Sequence, residues 1–321
     1  MRKVKVAVVG ASGYTGGELL RLLLHHPGVE LKSAIARSDN GRTVSEIFPD
    51  LLGQTELVFT DTFDNRVDHV FLCLGHGESS AWLEQNKPLT KTTVIDLSDE
   101  FRYRSDEWVY GLPEMNENLI AGSKKVANPG CFASAIQYGL LPVMKFSEIP
   151  KEVHIQAITG STGAGKTPGK STHFSERSNN LSVYEVFTHR HLHEIKHSLK
   201  TQSNADLPFI GFVPLRGPFS RGIMANITFR TEMNQEEIQH EFKTYYSSAK
   251  FVRVLKSDPD LKTVLNTNYC NISIQVRNGL CLITSVIDNL IKGASGQAIQ
   301  NFNLMYGFSQ DTSLQLKSSV Y

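Results

Sequence analysis

Hydrophobic and polar positions divide the chain into two textures. In the first part, apolar residues come in short continuous runs, Val4 to Val9, Val70 to Leu74 and Thr93 to Leu97, as expected for strands buried on both faces of a parallel sheet. Val4–Val9 leads into Gly10-Ala11-Ser12-Gly13-Tyr14-Thr15-Gly16, a helical run from Glu18 to His25, a Pro27-Gly28 stop and a second strand over Val29 to Ala36, which together make one βαβ unit. Beyond residue 150 the runs alternate instead. Val153–Thr159, Met224–Arg230, Ile272–Val276 and Leu280–Ile287 each place apolar residues at every second position, the signature of a half-exposed, mostly antiparallel sheet. Helices are predicted from His191 to Lys200, from an Asn234…Glu237 capping box to about Tyr246, and over a glycine-opened tail from Gly293 to Leu304. The fold class is therefore α/β, a Rossmann-type dinucleotide-binding domain followed by an α+β domain, and 321 residues suit two cores.

Charge and cysteine content narrow the partners. Lys+Arg 33 against Asp+Glu 32 leaves no basic excess for a nucleic-acid backbone. Cys73, Cys131, Cys270 and Cys281 are scattered without a CxxC pair, which argues for neither a disulfide framework nor a zinc knuckle and suits a reducing cytoplasm. No apolar run reaches about 18 residues, so neither a signal peptide nor a membrane span is expected.

Glycines at a strand-to-helix turn let the backbone approach a pyrophosphate seated on the helix N-terminus, so Gly10, Ser12, Gly13, Tyr14, Thr15 and Gly16 are candidate dinucleotide contacts. The second strand ends in Arg37-Ser38-Asp39. An arginine followed by a hydroxyl suits a 2′-phosphate, which favours NADP over NAD, although Asp39 lies close. His76, Ser98 and Arg102 follow the next two strands, at the carboxyl ends where open parallel sheets bind ligands.

The chemistry centres on Asn128-Pro129-Gly130-Cys131-Phe132, which reads as a tight turn delivering a cysteine to the first turn of an amphipathic helix. Unpaired N–H groups and the helix dipole favour thiolate there, making Cys131 a candidate nucleophile. Its proton partner would be an imidazole, and His189-Arg190-His191 supplies two. Two other motifs read as decoys. Gly160–Thr167 fits the P-loop pattern of a phosphotransferase, yet Pro168-Gly169 follows where a helix is required. His193-Glu194-Ile195-Lys196-His197 fits the zinc-hydrolase pattern HExxH but lacks a third ligand, so no metal site is expected. A thiolate beside a nicotinamide implies attack on an acyl phosphate, departure of phosphate and hydride transfer to the thioester.

Several segments in order resemble the N-acetyl-γ-glutamyl-phosphate reductase family: Gly10 to Gly16, Asp96 to Arg102, Tyr110 to Glu114, Asn128 to Phe132, Gly160 to Lys166, His189 to His191, Ser220 to Ile223 and Asp288 to Gln297. The resemblance runs from Val6 to Gly307. It implies a glyceraldehyde-3-phosphate dehydrogenase-like second domain, with 1–130 and 296–321 binding NADP and 131–295 carrying catalysis and oligomerisation. It also implies a nucleophile at Cys131, a catalytic histidine at His189 or His191, and cofactor contacts at Gly293 and Gln297. Substrate contacts would come from Ser98, Arg102, Asn128, Ser161, Lys166 and Arg221, in a cytoplasmic homo-oligomer of arginine biosynthesis acting on a small acyl phosphate. Ser134 stands where the family has threonine, Lys166 where arginine is common and His193 where proline follows. Because Lys166 replaces a planar fork with a point charge, N-acetyl and N-succinyl groups stay open, as do aspartyl and aminoadipyl phosphates.

Overall fold

The computed structural model describes residues 2–103, 107–202 and 206–319. The chain groups into two units, Met1–Gly130 with Ala294–Gln315 and Cys131–Gly293 with Leu316–Tyr321. The sequence reading instead carries the whole tail to 321 with the first unit and places Ala294 and Ser295 in the second.

Seven strands form the first sheet: β1 (Val4–Val9), β2 (Val29–Ile35), β3 (Phe59–Thr60), β4 (His69–Leu72), β5 (Thr93–Asp96), β6 (Val109–Tyr110) and β7 (Lys125–Ala127). Their order is β3-β2-β1-β4-β5-β7-β6, and every pair is parallel. The continuous apolar runs are explained by this arrangement. Val6, Ala7, Val8, Val70, Phe71 and Leu72 are fully buried, because helices cover the sheet. These helices include α1 (Tyr14–Leu24), the one-turn α2 (Val44–Ile47), α3 (Ser79–Asn86) and α4 (Pro113–Ala121). The strand order reverses between β1 and β4, and a ligand crevice is expected at the carboxyl ends of those two strands.

The second unit opens with α5 (Cys131–Leu140) and contains β8 (Glu152–Thr159), the one-turn α6 (Phe174–Arg177), β9 (Ser182–Val183), α7 (Arg190–Lys200), β10 (Phe209–Arg216), β11 (Ile223–Arg230), α8 (Gln235–Tyr245), β12 (Val252–Val254), β13 (Cys270–Arg277) and β14 (Leu280–Ile287). The sheet order is β12-β13-β14-β11-β8-β10-β9. It is mostly antiparallel, as read from the sequence, with β8–β10 and β12–β13 running parallel. Alternation along β8 and β11 puts Val153, Ile155, Ala157, Ala225 and Ile227 on the face that packs under α5. Asn234 and Glu237 close their reciprocal box at the start of α8 as read from the sequence. The chain then returns to the first unit in α9 (Gly296–Met305).

The sequence reading did not include the short strands β3, β6, β7, β9 and β12, nor the longer β10. β10 contains Pro214, which a ladder strand rarely tolerates; its carbonyl accepts the Tyr184 amide at 3.2 Å on the side of the two-residue edge strand β9, so the missing N–H falls toward the sheet edge and not on the β8 ladder.

Candidate active site

In the first unit, β1 ends at Gly10, whose φ is +73°. A side chain there would place its Cβ 2.3 Å from the Cys73 carbonyl oxygen. Only glycine fits; the Gly10 and Ala11 amides donate to the Ile35 carbonyl and the Gly13 amide to that of Gly10, which leaves the first-turn amides of α1, whose N-cap is Gly13, to face an anion. Ser12 and Thr15 are half-buried in this turn and Tyr14 is exposed; Gly16 lies inside the helix. Ser295 Oγ donates to the Thr15 carbonyl at 2.8 Å, which ties the start of the returning segment to the same turn.

At the end of β2, Arg37 and Ser38 are exposed on a short 3-10 turn. Asp39 accepts from Ser38 Oγ at 2.8 Å and pairs with Arg42 at 3.1 Å. The acid that would repel a 2′-phosphate is thus matched by a cation, while Arg37 forms no ion pair with any described residue. These groups fit NADP, and Arg42 is a contributor that sequence reading missed.

Residues after β4 and β5 behave differently. His76 is exposed and lies 2.9 Å from Asp99. Ser98, however, is fully buried and donates to Asp96 at 2.5 Å, beside Ser79, which donates to the other carboxylate oxygen at 2.6 Å. Burial raises the pKa of Asp96, opposed by these hydroxyls and Arg102. Arg102 is also buried; its Nε donates to the Asn128 carbonyl at 2.9 Å and a terminal nitrogen to the Leu97 carbonyl at 3.0 Å. The Asn128 side chain donates to the Ala294 carbonyl and receives Asn301 Nδ2, both at 3.1 Å. Gln297 donates to the Gly111 carbonyl. Hence Ser98, Arg102, Asn128 and Gln297, expected to touch ligands, are framework groups within this unit. They fix the backbone just before Cys131 and just after Gly293.

In the second unit, Cys131 is the first residue of α5 and is half-buried. The link before it, 128–130, is irregular backbone rather than a hydrogen-bonded turn. Gly293 packs against the cysteine, and a Cβ at 293 would sit 2.8 Å from that of Cys131, so no larger residue leaves the thiol in place. Gly293 therefore shapes the cysteine's surroundings. The one-turn π-helix Ile291–Ser295 around it is anchored by Asp288, fully buried, whose carboxylate accepts from the amides of Leu290, Ile291 and Asn266 and from Arg221 Nε at 2.7 Å. One edge of the Arg221 guanidinium is thereby committed to structure. Lys292, also fully buried, lies 5.1 Å from the Tyr138 ring centroid and 5.5 Å from that of Phe251.

His189 caps α7. Its Nδ1 accepts the His191 amide hydrogen at 3.1 Å, so the ring proton resides on Nε2. Nε2 has no hydrogen-bond partner among the described residues; the nearest acid oxygen, on Glu185, is 3.9 Å away. The ring sits among Phe132, Phe212 and Tyr184, with centroids 5.5, 5.5 and 5.7 Å distant. Desolvation, reinforced by Arg190 and Arg216, lowers its pKa to about 4. With Nδ1 engaged by the His191 amide, the neutral ring presents its Nε2–H as a hydrogen-bond donor. His191 packs against it at 4.7 Å and against Phe132 at 6.3 Å.

Ser161 lies in a 3-10 turn rather than the helix a P-loop needs, and its amide donates to the Phe219 carbonyl. Lys166 is exposed beyond it. His193 and His197 face outward on α7 while Glu194 is buried, so the HExxH residues do not converge. Among the described residues no cluster could hold a metal, and no helix is long and apolar enough to cross a membrane. A cavity of about 700 Å³ between Phe146–Glu152 and Thr228–Met233 has none of these candidates in its lining.

Comparison with known proteins follows the same division. Residues 5–123 match the model described as semialdehyde dehydrogenase, NAD binding domain, and 131–289 that described as semialdehyde dehydrogenase, dimerisation domain. Among solved structures, aspartate semialdehyde dehydrogenase II from Vibrio cholerae superimposes with a TM-score of 0.77 at 16% identity, covering 96% of this chain and 99% of that one. The aspartate semialdehyde dehydrogenase with NADP from Candida albicans gives 0.72 at 17%, covering 95% and 98%. Both share the fold. An N-acetyl-γ-glutamyl-phosphate reductase from Phocaeicola vulgatus is 42% identical over 321 residues, covering 99% of this chain and all of the relative. Another of that name from Christiangramia forsetii is 43% identical over 320 residues, with the same coverage. With identity of this order along its whole length, the chain belongs to the N-acetyl-γ-glutamyl-phosphate reductase family, within the semialdehyde dehydrogenases.

Proposed function

We propose that this chain reduces N-acetyl-γ-glutamyl phosphate to N-acetyl-glutamate 5-semialdehyde with NADPH, in arginine biosynthesis, through a thioester on Cys131. Full-length identity to relatives of that name is the observation that carries the reading.

The Cys131 sulfur attacks the acyl carbon, the C–O bond to phosphate breaks, and the thiol proton leaves with the phosphate. Bound NADPH supplies the hydride that converts the thioester to aldehyde, and the thiol is re-formed with a proton from solvent. His189 holds its proton on Nε2 and donates a hydrogen bond to the acyl oxygen as negative charge develops there. His191, two residues on, supports the ring. The glycine turn from Gly10 to Gly16 with Ser12, Tyr14 and Thr15 cradles the pyrophosphate, Arg37 and Ser38 meet the 2′-phosphate, and His76 borders the nicotinamide end. Ser161, Lys166 and Arg221 face substrate, while Ser98, Arg102, Asn128 and Gln297 hold the backbone that these contacts depend on. Two copies associating through the second unit, in the cytoplasm, complete the proposal; exposed Val183, Phe187 and Phe209 beside its sheet support it.

Incubation with NADP⁺, phosphate and each of N-acetyl-glutamate, N-succinyl-glutamate and aspartate semialdehydes tests the substrate. The N-acetyl compound should give the highest kcat/KM, and activity confined to aspartate semialdehyde would overturn the assignment. Cys131→Ser should reduce turnover to the detection limit while leaving NADPH affinity within about twofold, since the hydroxyl is a far weaker nucleophile than a thiolate.

A further inference from the structure

Arg216 ends β10 and belongs to none of the segments that carried the family resemblance. Its Nη1 donates to Ser171 Oγ at 2.8 Å, and its guanidinium carbon lies 4.7 Å from the centroid of the Tyr184 ring. Its Nε is buried without a hydrogen-bond partner. No acidic side chain among the described residues pairs with it. A half-buried guanidinium that lacks a counter-ion is an unfavourable arrangement in the folded protein unless an anion arrives.

Its neighbours place it beside the chemistry. Tyr184 stacks on Arg216 on one side and approaches the His189 ring on the other, centroids 5.7 Å apart. The charges of both Arg216 and Arg190 are felt at His189, and that of Cys131 at Tyr184, whose hydroxyl is pushed up to about 12, chiefly by burial. Glu185, the acid facing His189 Nε2, is mostly exposed and forms no ion pair with Arg216 among the described residues. Two other arginines of this unit have part of the guanidinium committed to protein groups. Arg177 donates to Ser182 Oγ and to the Asn180 carbonyl, and Arg221 Nε is bound to Asp288.

We propose that Arg216 anchors an oxyanion of the substrate, a carboxylate or the phosphoryl group, beside Cys131 and His189. This rests on the acyl-phosphate reading above. Guanidinium geometry suits either anion through paired N–H donors, and stacking on Tyr184 orients the fork.

Running the reaction in reverse separates the two sources, because semialdehyde and inorganic phosphate are then distinct substrates. In Arg216→Met, one of their KM values should rise roughly 10- to 100-fold, the range for losing a charge-assisted hydrogen bond, with kcat and the KM for NADP⁺ within a few-fold. A rise for semialdehyde assigns the carboxylate, and a rise for phosphate assigns the phosphoryl group. Arg216→Lys, which keeps charge but loses the fork, should fall between. A second measurement needs no turnover: protection of Cys131 from iodoacetamide by inorganic phosphate or by N-acetyl-glutamate should weaken by the same factor in Arg216→Lys. Should wild type lack activity yet show this protection, the substrate assignment fails and the anion site stands. Unchanged KM values, unchanged protection, or a uniform loss of kcat with a lowered Tm would overturn the proposal.

Discussion

The two units hold their candidate site residues in opposite ways. In the first, polar side chains near the strand ends are engaged by protein groups: Ser98 on Asp96, Arg102 on two carbonyls, Asn128 between Ala294 and Asn301. Outside that network stand the amides of the first turn of α1 and exposed Arg37. In the second, His189 Nε2 and Arg216 Nε have no hydrogen-bond partner among the described residues, in an aromatic surround of Phe132, Phe212 and Tyr184. Side chains tied to protein groups fix geometry; donors without a partner stay ready for charge that appears only during reaction. The difference separates binding by a rigid cradle from chemistry by preorganised donors.

The sharpest way to break this comparison is at His189. If Nε2–H stabilises an oxyanion, His189→Ala should lower kcat roughly 10²- to 10³-fold, the usual loss for one such donor. His189→Gln, whose amide still donates but cannot relay a proton, should recover at least tenfold of that loss. The neutral ring also predicts that kcat shows no inflection from this group between pH 5 and 8, because its pKa near 4 lies below that window. A Gln variant as inactive as Ala, with a wild-type inflection near 6.5, would return the ring to acid–base work.

A smaller effect is expected in the cradle. Arg37→Ala should raise the KM for NADPH about 10-fold, the loss of one charge-assisted contact, and leave that for NADH unchanged. Equal changes for both cofactors would mean that Arg37 does not meet the 2′-phosphate, and Arg42, which holds Asp39, would be the next candidate.

What the sequence made legible follows the same line. Gly10 announced itself because a positive φ and a 2.3 Å approach admit one residue type, and the parallel strands because double-sided burial leaves no polar positions. Cys131 was legible from its place before an amphipathic helix, and the capping box at Asn234 from local spacing alone. Arg216 was not, since its neighbours Ser171 and Tyr184 are 45 and 32 positions away and meet it only through the pairing of β8, β9 and β10. Ser98 and Arg102 were placed at the right strand ends, but whether a side chain turns to ligand or to its own backbone depends on partners such as Asp96 and the Asn128 carbonyl that periodicity cannot reveal.

The smallest predicted effect tests whether the first unit is sealed as its hydrogen bonds suggest. His69 is fully buried under Phe71, Phe302 and Tyr306, with Nδ1 2.7 Å from Thr93 Oγ1, and desolvation lowers its pKa to about 3. His26 is lowered in the same direction by burial. Both rings stay neutral in the folded chain while their unfolded counterparts protonate near 6.5, so the unfolded state binds more protons and stability falls as pH drops from about 6.5 toward 3. Above that window neither state takes up protons here and the contribution is level. For His69 alone, acidification from pH 7 to 5.5 should remove about 1.3 kcal/mol of unfolding free energy. Urea denaturation of wild type and His69→Asn at the two pH values measures it: the variant is less stable at pH 7 through lost packing, but its acid sensitivity should shrink by that amount. An equal acid loss in both proteins would mean that His69 protonates in the folded state, and that the first unit admits water where its aromatic cover implies none.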